Sequence, residues 1–144
     1  MESVIIRTAT SADLDAVKAL ADRHKRDVGF VRRGALLESI NRAHVLLALA
    51  GEDPVGFVQF HHRRDGQTTI HLIMVASEHR RRGIAALLLN QLRTACQGLG
   101  QQRIGLKCPV DLSANSFYQQ AGFTLIAQEP GKIRALNLWQ LPLY

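Results

Sequence analysis

The chain has 144 residues, of which 47% are hydrophobic and 21% are charged. These values argue against a disordered or fibrous chain and predict one globular domain over residues 1–144. Apolar runs such as Ile84–Leu89 are too short to span a bilayer, so we expect no membrane partner. The net charge of +6 favours an anionic partner, which charge alone does not identify.

The two cysteines, Cys96 and Cys108, form neither a disulfide framework nor a metal-ligand pattern. We therefore expect no metal site and a reducing compartment, the cytoplasm. Cys108 ends a predicted strand, where a small buried side chain is the simplest role for it.

The first third of the chain predicts a strand followed by two helices. The segment Val4–Thr10 is rich in β-branched residues, which is typical of a strand. Ser11 is suited to cap a helix reaching about Lys25, because apolar residues then recur at helical spacing. A link with two glycines leads to a second, short helix over Leu36–Ala43.

The middle of the chain predicts an antiparallel meander. Three apolar segments, His44–Ala50, Val55–His62 and Thr68–Val75, are separated by turn residues. The second turn contains Asp65-Gly66, a strong hairpin signal.

The remainder predicts a helix over Gly83–Gln97, a strand over Ile104–Pro109 and a helix over Ser113–Gln120, with Gly122 as its C-terminal glycine. Two final strands flank Pro130-Gly131. The helical crossover makes the fourth and fifth strands parallel. The fold class is therefore α/β with a mixed sheet.

The stretch SEHRRRGIAALLL, Ser77–Leu89, joins the fourth strand to the crossover helix. A helix N-terminus offers backbone N–H groups and a positive dipole end, which together attract phosphate. Gly83 allows close approach of an anion, and the arginines before it add positive charge. The stretch predicts a phosphate site, although alone it also suits an ordinary basic loop. The glycine patterns of triphosphate and dinucleotide sites are absent.

Two segments resemble the signatures of the GNAT superfamily of N-acetyltransferases. IMVASEHRRRGIAALLLNQL is similar to its acetyl-CoA signature, and NSFYQQAGF is similar to its second signature, with Tyr118 four residues before Gly122-Phe123. The element order agrees along essentially the whole chain. The resemblance implies a six- to seven-stranded mixed sheet flanked by about four helices, and transfer of acetyl from acetyl-CoA (CoA) to an amine.

The resemblance also implies which residues bind acetyl-CoA. The fourth-strand main chain would pair with the pantetheine arm, and the following turn and helix start would hold the pyrophosphate. The family commonly has an Asn seven residues before the Tyr; here that position is Asp111, and Asn115 lies one helical turn away, so either would contact the arm. The implied set is Ile73, Met74, Val75, Arg80, Arg81, Arg82, Gly83, Ile84, Ala85, Ala86, Asp111, Asn115 and Tyr118.

The resemblance implies that Tyr118 is the general acid that protonates the CoA thiolate. Many members carry a catalytic carboxylate on the fourth strand, but this strand has none, and His71 is our candidate base. His61 and His62 on the preceding strand are weaker candidates, and we expect Glu78, in the turn, to be solvated. The backbone N–H of Val75 would stabilise the oxyanion.

The acceptor is an amine that the sequence does not identify. The resemblance places its pocket near residues 27–37 and 129–139, with Phe30, Arg32 and Arg33 as candidate substrate-binding residues. We expect Trp139 to be a core or interface residue. The C-terminal strands suggest a possible homodimer. The alternatives are a non-catalytic acetyl-CoA-binding regulatory domain and a basic nucleic-acid-binding module. Because no nucleic-acid motif is present and only 6% of residues are aromatic, we expect no nucleic-acid partner.

Overall fold

The computed structural model describes residues 3–25 and 29–143, which form seven strands and four α-helices. The strands are β1 (Val4–Thr8), β2 (Val45–Ala50), β3 (Asp53–His62), β4 (Gln67–Val75), β5 (Arg103–Pro109), β6 (Thr124–Glu129) and β7 (Leu136–Pro142). The helices are α1 (Leu14–Arg23), α2 (Arg33–Asn41), α3 (Ile84–Gly98) and α4 (Ala114–Gln120). The predicted order is confirmed, although α2 begins at Arg33 rather than Leu36.

The strands form one mixed sheet in the order β1-β2-β3-β4-β5-β7-β6. β1 pairs antiparallel with β2, and β2 with β3. β4 and β5 are parallel, with Gln67–Ile70 in register with Arg103–Leu106, as the crossover helix α3 predicts. β7 is antiparallel to both β5 and β6.

The chain divides into two compact units, and β4 and α3 each contribute to both. The first unit comprises Met1–His61 and Leu72–Leu92, and the second comprises His62–His71 and Arg93–Tyr144. The single domain therefore stays a prediction. In the first unit, α1 and α2 pack on one face of the strands. The buried residues of this core are Ala9, Leu14, Val17, Leu20, Ala21, Leu36, Ile40, Val45, Leu47, Phe57, Met74 and Ala76.

The second unit is built around β5 and the strand β7 that pairs with it. Its buried side chains include Ile104, Leu106, Phe123, Trp139 and Leu141. Trp139 is therefore a core residue, as predicted. β5 also contains Gly105, where a Cβ would lie only 2.7 Å from Nε2 of Gln67 on the neighbouring strand. The side-chain amide of Gln67 thus covers a backbone position that is free of any side chain.

The start of the first helix differs from the prediction that Ser11 caps it. Ser11–Asp13 is a short 3-10 turn, and the cap residue is Thr10. The backbone N–H of Thr10 donates to Asp13 Oδ2 at 2.8 Å, and Arg7 donates to both oxygens of that carboxylate at 2.7 and 2.9 Å. Asp13 therefore joins β1 to the start of α1.

We expect Asp13→Asn to destabilise the protein by about 1–2 kcal/mol at pH 7, because it removes charged hydrogen bonds. The Arg7 hydrogen bonds lower the pKa of Asp13 to about 2. A lowered native pKa contributes stability above the unfolded value of about 4, and this is lost as pH falls through the native pKa. Urea unfolding at pH 7 and near pH 2 should show the difference from wild type shrinking in acid.

The control for this prediction is Asp15→Asn, which removes an exposed ion pair with Arg33. This substitution should lower the free energy of unfolding by less than about 1 kcal/mol. If Asp13→Asn lowered the free energy of unfolding no more than the control, or by the same amount near pH 2 as at pH 7, the role given to Asp13 would be contradicted.

Candidate active site

The loop between β4 and α3 adopts a backbone suited to anion binding. It begins with the 3-10 turn Ser77–His79 and then passes through left-handed conformations at Arg81 (φ 65°) and Gly83 (φ 78°). The first α-helical hydrogen bond runs from the Leu87 N–H to the Gly83 carbonyl at 3.0 Å. The N–H groups of residues 84–86 precede that bond and have no carbonyl of the same helix to pair with. They are the donors that the sequence predicts for a phosphate.

Space at Gly83 is open, since a Cβ built there would meet nothing within 4 Å. The side chain of Ile84 is buried, whereas Ala86 is exposed. Further along the helix, Leu88 and Leu92 are fully buried and hold α3 in place. The end of the helix predicted to bind an anion is therefore fixed by its apolar face, while its first turn stays accessible.

The three arginines of the loop differ in what they do. Arg80 donates from Nε to the Val75 carbonyl at 3.2 Å, which folds the side chain back against the end of β4. Arg81 and Arg82 are exposed. The loop thus uses Arg80 to stabilise its own shape and offers positive charge from the other two.

The main chain of β4 presents alternate residues to its two edges. The Ala76 N–H donates to the Val55 carbonyl of β3 at 2.8 Å, and a Cβ built on Gly56 of β3 would lie 2.8 Å from the Met74 carbonyl oxygen. Met74 and Ala76 therefore direct their main chain towards β3, and Ile73 and Val75 direct theirs to the opposite edge. The carbonyl of Met74 therefore lies beside β3, and the share of Met74 in main-chain pairing with the pantetheine arm stays a prediction. The side chain of Met74 lies in the core.

Tyr118 on α4 is 6% exposed and contacts the rings of Phe117 and Phe123 edge-on, with centroids 5.5 and 5.6 Å away. Burial is the main cause that raises the pKa of its phenol well above the ordinary value, and the nearby Cys108 adds to the shift. The phenol is therefore a hydrogen-bond donor throughout the neutral range. Burial also raises the pKa of the Cys108 thiol.

Asn115, one of the two candidates for the pantetheine arm, is occupied within its own unit. Its Nδ2 donates to the carbonyls of Pro109 at 2.9 Å and Leu112 at 2.8 Å. Its Oδ1 accepts from Asn137 Nδ2 at 3.1 Å and from Trp139 Nε1 at 2.8 Å. These bonds use both donors and both lone pairs of the amide. The side chain of Asn115 therefore joins α4 to the end of β5 and to β7 through hydrogen bonds.

Asp111, the other candidate, is more accessible. Its Oδ2 accepts from Arg134 Nη1 at 3.0 Å, and both side chains are substantially exposed. An exposed ion pair of this kind contributes little to stability, so Asp111 is able to exchange its partner. Of the two residues, Asp111 remains the candidate for a pantetheine amide.

The candidate bases lie in different environments. His71 is an exposed residue of β4. The next residue, Leu72, packs against the core that contains residues of α1 and α2. Because successive side chains of a strand point to opposite faces, His71 lies on the other face of β4. Glu78 is exposed in the turn, and hydrogen bonds from its own backbone N–H and from Ser77 lower the pKa of its carboxyl. Glu78 is thus a surface carboxylate with a weak affinity for protons.

The candidate acceptor residues lie around α1 and the start of α2, while residues 26–28 lie outside the described part of the chain. Phe30 is 72% exposed, and Lys18 Nζ lies 4.8 Å from its ring centroid. Arg33 is paired with Asp15 at 2.6 Å, and Arg32 precedes α2 as its cap residue. Arg33 is therefore already partnered by a carboxylate, and Phe30 is the accessible apolar side chain of this group.

His24 contacts the turn after β4, which sequence reasoning missed. It is buried at the end of α1, and its Nε2 accepts from the Ser77 N–H at 3.2 Å. Ser77 begins the turn that leads into the anion-binding loop. The two residues are 53 positions apart in the chain, so no local pattern indicates their contact.

The described residues contain no group of three or more His, Cys, Asp or Glu side chains arranged to hold a metal ion. None of the helices in the described ranges is long and apolar enough to cross a membrane.

The family model described as Acetyltransferase (GNAT) family matches residues 14–123. The chain belongs to this family. It is accordingly an acyl-CoA-dependent N-acetyltransferase, and acetyl-CoA is its co-substrate. The match includes β4, the loop of residues 76–83 that follows it, and α4. No curated protein matches the chain.

Solved structures of GNAT proteins share the fold at low sequence identity. Ard1 from Thermoplasma volcanium is 18% identical, with a TM-score of 0.88 and 98% of each chain covered. The ribosomal-protein-S18-alanine N-acetyltransferase from Escherichia coli is 16% identical, with a TM-score of 0.84, 98% of this chain and 94% of that chain covered. PaiA N-acetyltransferase from Thermoplasma acidophilum, solved with coenzyme A, is 18% identical, with a TM-score of 0.84 and coverage of 97% and 99%.

We expect Asn115→Ala to lower the free energy of unfolding by about 2–4 kcal/mol, because it leaves the buried Trp139 N–H and other groups without partners. Chemical unfolding can be followed by tryptophan fluorescence, since Trp139 is the only tryptophan. The control Asp111→Ala should cost less than about 1 kcal/mol. A variant of Asn115 that kept its stability but lost CoA affinity would instead assign the residue to the pantetheine arm.

Proposed function

We propose that this enzyme transfers acetyl from acetyl-CoA directly to a primary amine of a small molecule, peptide or protein, without an acyl-enzyme. The observation that carries the proposal is the loop between β4 and α3. Its left-handed Gly83, the N–H groups of residues 84–86 and the exposed Arg81 and Arg82 suit a pyrophosphate. Acetyl-CoA supplies the thioester whose acetyl group is transferred.

The main chain of β4 would orient the thioester. Ile73 and Val75 direct their N–H and carbonyl groups away from β3, which suits strand-like pairing with the amides of a pantetheine arm. We assign the Val75 N–H to the carbonyl oxygen on which negative charge develops when the amine attacks. The new C–N bond forms at that carbon, and the C–S bond then breaks.

Tyr118 is our proposed proton donor to the departing sulfur. Its raised pKa keeps the phenol protonated, so it always has a proton to donate. The same shift makes it a weak acid and makes its phenolate costly, since burial disfavours the charge. We therefore assign to Tyr118 a hydrogen bond to the thiolate, with proton transfer completed as a new proton reaches the phenol from water.

The attacking amine must lose a proton, and we propose that His71 receives it through water. An imidazole titrates in the neutral range, and the residue lies exposed on β4, where water reaches it. His61 and His62 on β3 remain the weaker candidates. Glu78 is less suited, because its lowered pKa makes it a poor proton acceptor.

The acceptor surface would include Phe30, with Arg32 and Arg33 available to bind a carboxylate. Phe30 supplies an accessible apolar contact, whereas Arg33 would have to exchange its partner Asp15. Because one structural neighbour is named for acetylating an alanine of ribosomal protein S18, peptides with an N-terminal alanine belong in any acceptor panel.

We also propose a cytoplasmic homodimer. The buried free thiols of Cys96 and Cys108 support a reducing compartment. β6 is the last strand in the sheet order and exposes Leu125 and Ile126, which supports pairing between two copies. Light scattering over a range of concentrations would measure the mass.

The activity is tested by release of CoA thiol from acetyl-CoA in the presence of amines, amino acids and peptides. We expect amine-dependent release with formation of the N-acetyl product. Binding of acetyl-CoA without turnover on any acceptor would favour a regulatory domain. Binding of nucleic acid without affinity for CoA would favour the basic binding module.

Gly83→Asp should weaken CoA binding by at least about 30-fold, because its carboxylate would stand at the helix start and repel the pyrophosphate. Gly100→Asp is a matched control. Gly83 and Gly100 have φ of 78° and 75°, and each has nothing within 4 Å of a built Cβ. Both variants carry a similar backbone strain of about 1–2 kcal/mol. Calorimetric titration that finds equal CoA affinity in the two variants would remove the pyrophosphate assignment.

Tyr118→Phe should lower kcat by about 10- to 100-fold, as expected for loss of a proton donor. The affinity for acetyl-CoA should change by no more than about threefold, since ring packing is kept. Tyr144→Phe makes the same chemical change at the only other tyrosine and serves as the control. A kcat of Tyr118→Phe equal to that of wild type would show that Tyr118 is not the proton donor.

A further inference from the structure

His24 forms a bridge between the end of α1 and the turn that follows β4. Its backbone N–H closes the helix on the Ala21 carbonyl at 3.0 Å. Its ring Nδ1 lies 2.9 Å from the Leu20 carbonyl, and its ring Nε2 lies 3.2 Å from the Ser77 nitrogen. The ring is buried, its contact with Leu20 is buried, and its contact with Ser77 is partly buried.

These partners determine the tautomer of the neutral imidazole. The Leu20 carbonyl only accepts hydrogen bonds, so Nδ1 carries the hydrogen and donates it. The Ser77 N–H only donates, so Nε2 must offer its lone pair. His24 is therefore an Nδ1–H imidazole whose far nitrogen acts as an acceptor for a backbone N–H.

The Ser77 N–H is the group in this turn that most needs an external acceptor. Ser77 is the first residue of the 3-10 turn, and the first N–H groups of a helical turn have no partner within it. The preceding residue, Ala76, has no side chain able to cap the turn. His24 supplies from another helix the acceptor that a Ser or Asp would ordinarily supply locally.

The loop is held at a second point by Arg80, whose Nε donates to the Val75 carbonyl at 3.2 Å. Between these two anchors the turn closes with the His79 N–H on the Ala76 carbonyl at 2.9 Å. The chain then enters the left-handed conformation at Arg81. The position of Ser77 thus sets where the anion-binding part of the loop begins.

We propose that His24 is a positioning residue for acetyl-CoA binding, acting through the Ser77 backbone to hold the anion-binding loop in its binding conformation. This inference rests on the proposed function, because it requires that the loop binds the pyrophosphate. The same helix carries Lys18 beneath Phe30 and Asp15 paired with Arg33. His24 therefore fixes the loop to the helix that supports the proposed acceptor surface.

Two amide substitutions separate the two ring contacts. In His24→Gln the side-chain amide reaches the place of Nε2 and can accept from the Ser77 N–H. In His24→Asn the amide reaches only the place of Nδ1, so it can keep the Leu20 contact but loses Ser77. We expect His24→Asn to raise the KM for acetyl-CoA and the Kd for CoA about five- to tenfold with kcat nearly unchanged, and His24→Gln to stay within about twofold of wild type.

Thermal unfolding of both variants without ligand distinguishes positioning from a general loss of stability. If Asn and Gln lower Tm equally and leave CoA affinity equal, His24 serves only the fold and the proposal is overturned. If wild type itself shows no affinity for CoA, the proposed function is wrong. If wild type and His24→Asn bind CoA equally well, only the role proposed for His24 is wrong.

A measurement on the unmodified protein tests the tautomer directly. Long-range ¹H–¹⁵N NMR spectra of the imidazole side chains should show His24 with hydrogen on Nδ1 and a bare Nε2. A hydrogen on Nε2 would be incompatible with acceptance from Ser77, and it would overturn the proposal even if both substitutions unfolded the protein.

Discussion

The proposed pyrophosphate site depends on one constraint: the backbone N–H groups at the start of α3 must stay in a fixed place and have no partners within the helix. At many helix starts, a Ser, Thr, Asp or Asn side chain just before the helix accepts hydrogen bonds from these N–H groups. Here a left-handed glycine precedes the helix and leaves open space around it, while Leu88 and Leu92 anchor the helix from its buried face. Of the three arginines before the helix, Arg80 is engaged with the end of β4, and Arg81 and Arg82 supply exposed positive charge.

Much of the fold was predictable because its signals are local. The β-branched start, the Asp65-Gly66 hairpin and Gly122 after α4 each depend on neighbouring residues, and all lie where they were expected. Helix starts were less accurate. Thr10 rather than Ser11 caps the 3-10 turn that leads into the first helix, because a carboxylate shared with Arg7 favours it, and that arginine belongs to a strand.

The residues that the sequence assigned less well are those whose partners are distant in the chain. Asn115 lies one helical turn from the motif position, and its amide is engaged by Trp139 and Asn137, which are more than 20 residues away. No sequence pattern indicates the contact of His24, because its partner is a backbone N–H, which every residue type except proline supplies. Spacing alone predicts which side chains share an element, but it does not predict which backbone groups they meet.

The close approach of Gln67 to Gly105 links two positions of the chain that are not adjacent in it. The Gln67 amide donates to Thr69 Oγ1 at 3.0 Å and accepts from Arg103 Nε at 3.1 Å. A methyl group at position 105 would have to displace that amide and both of its bonds. Positions 67 and 105 are therefore coupled: during divergence, or in redesign, a larger residue on β5 requires either that the flexible end of Gln67 moves aside and gives up these hydrogen bonds, or that a shorter side chain replaces it.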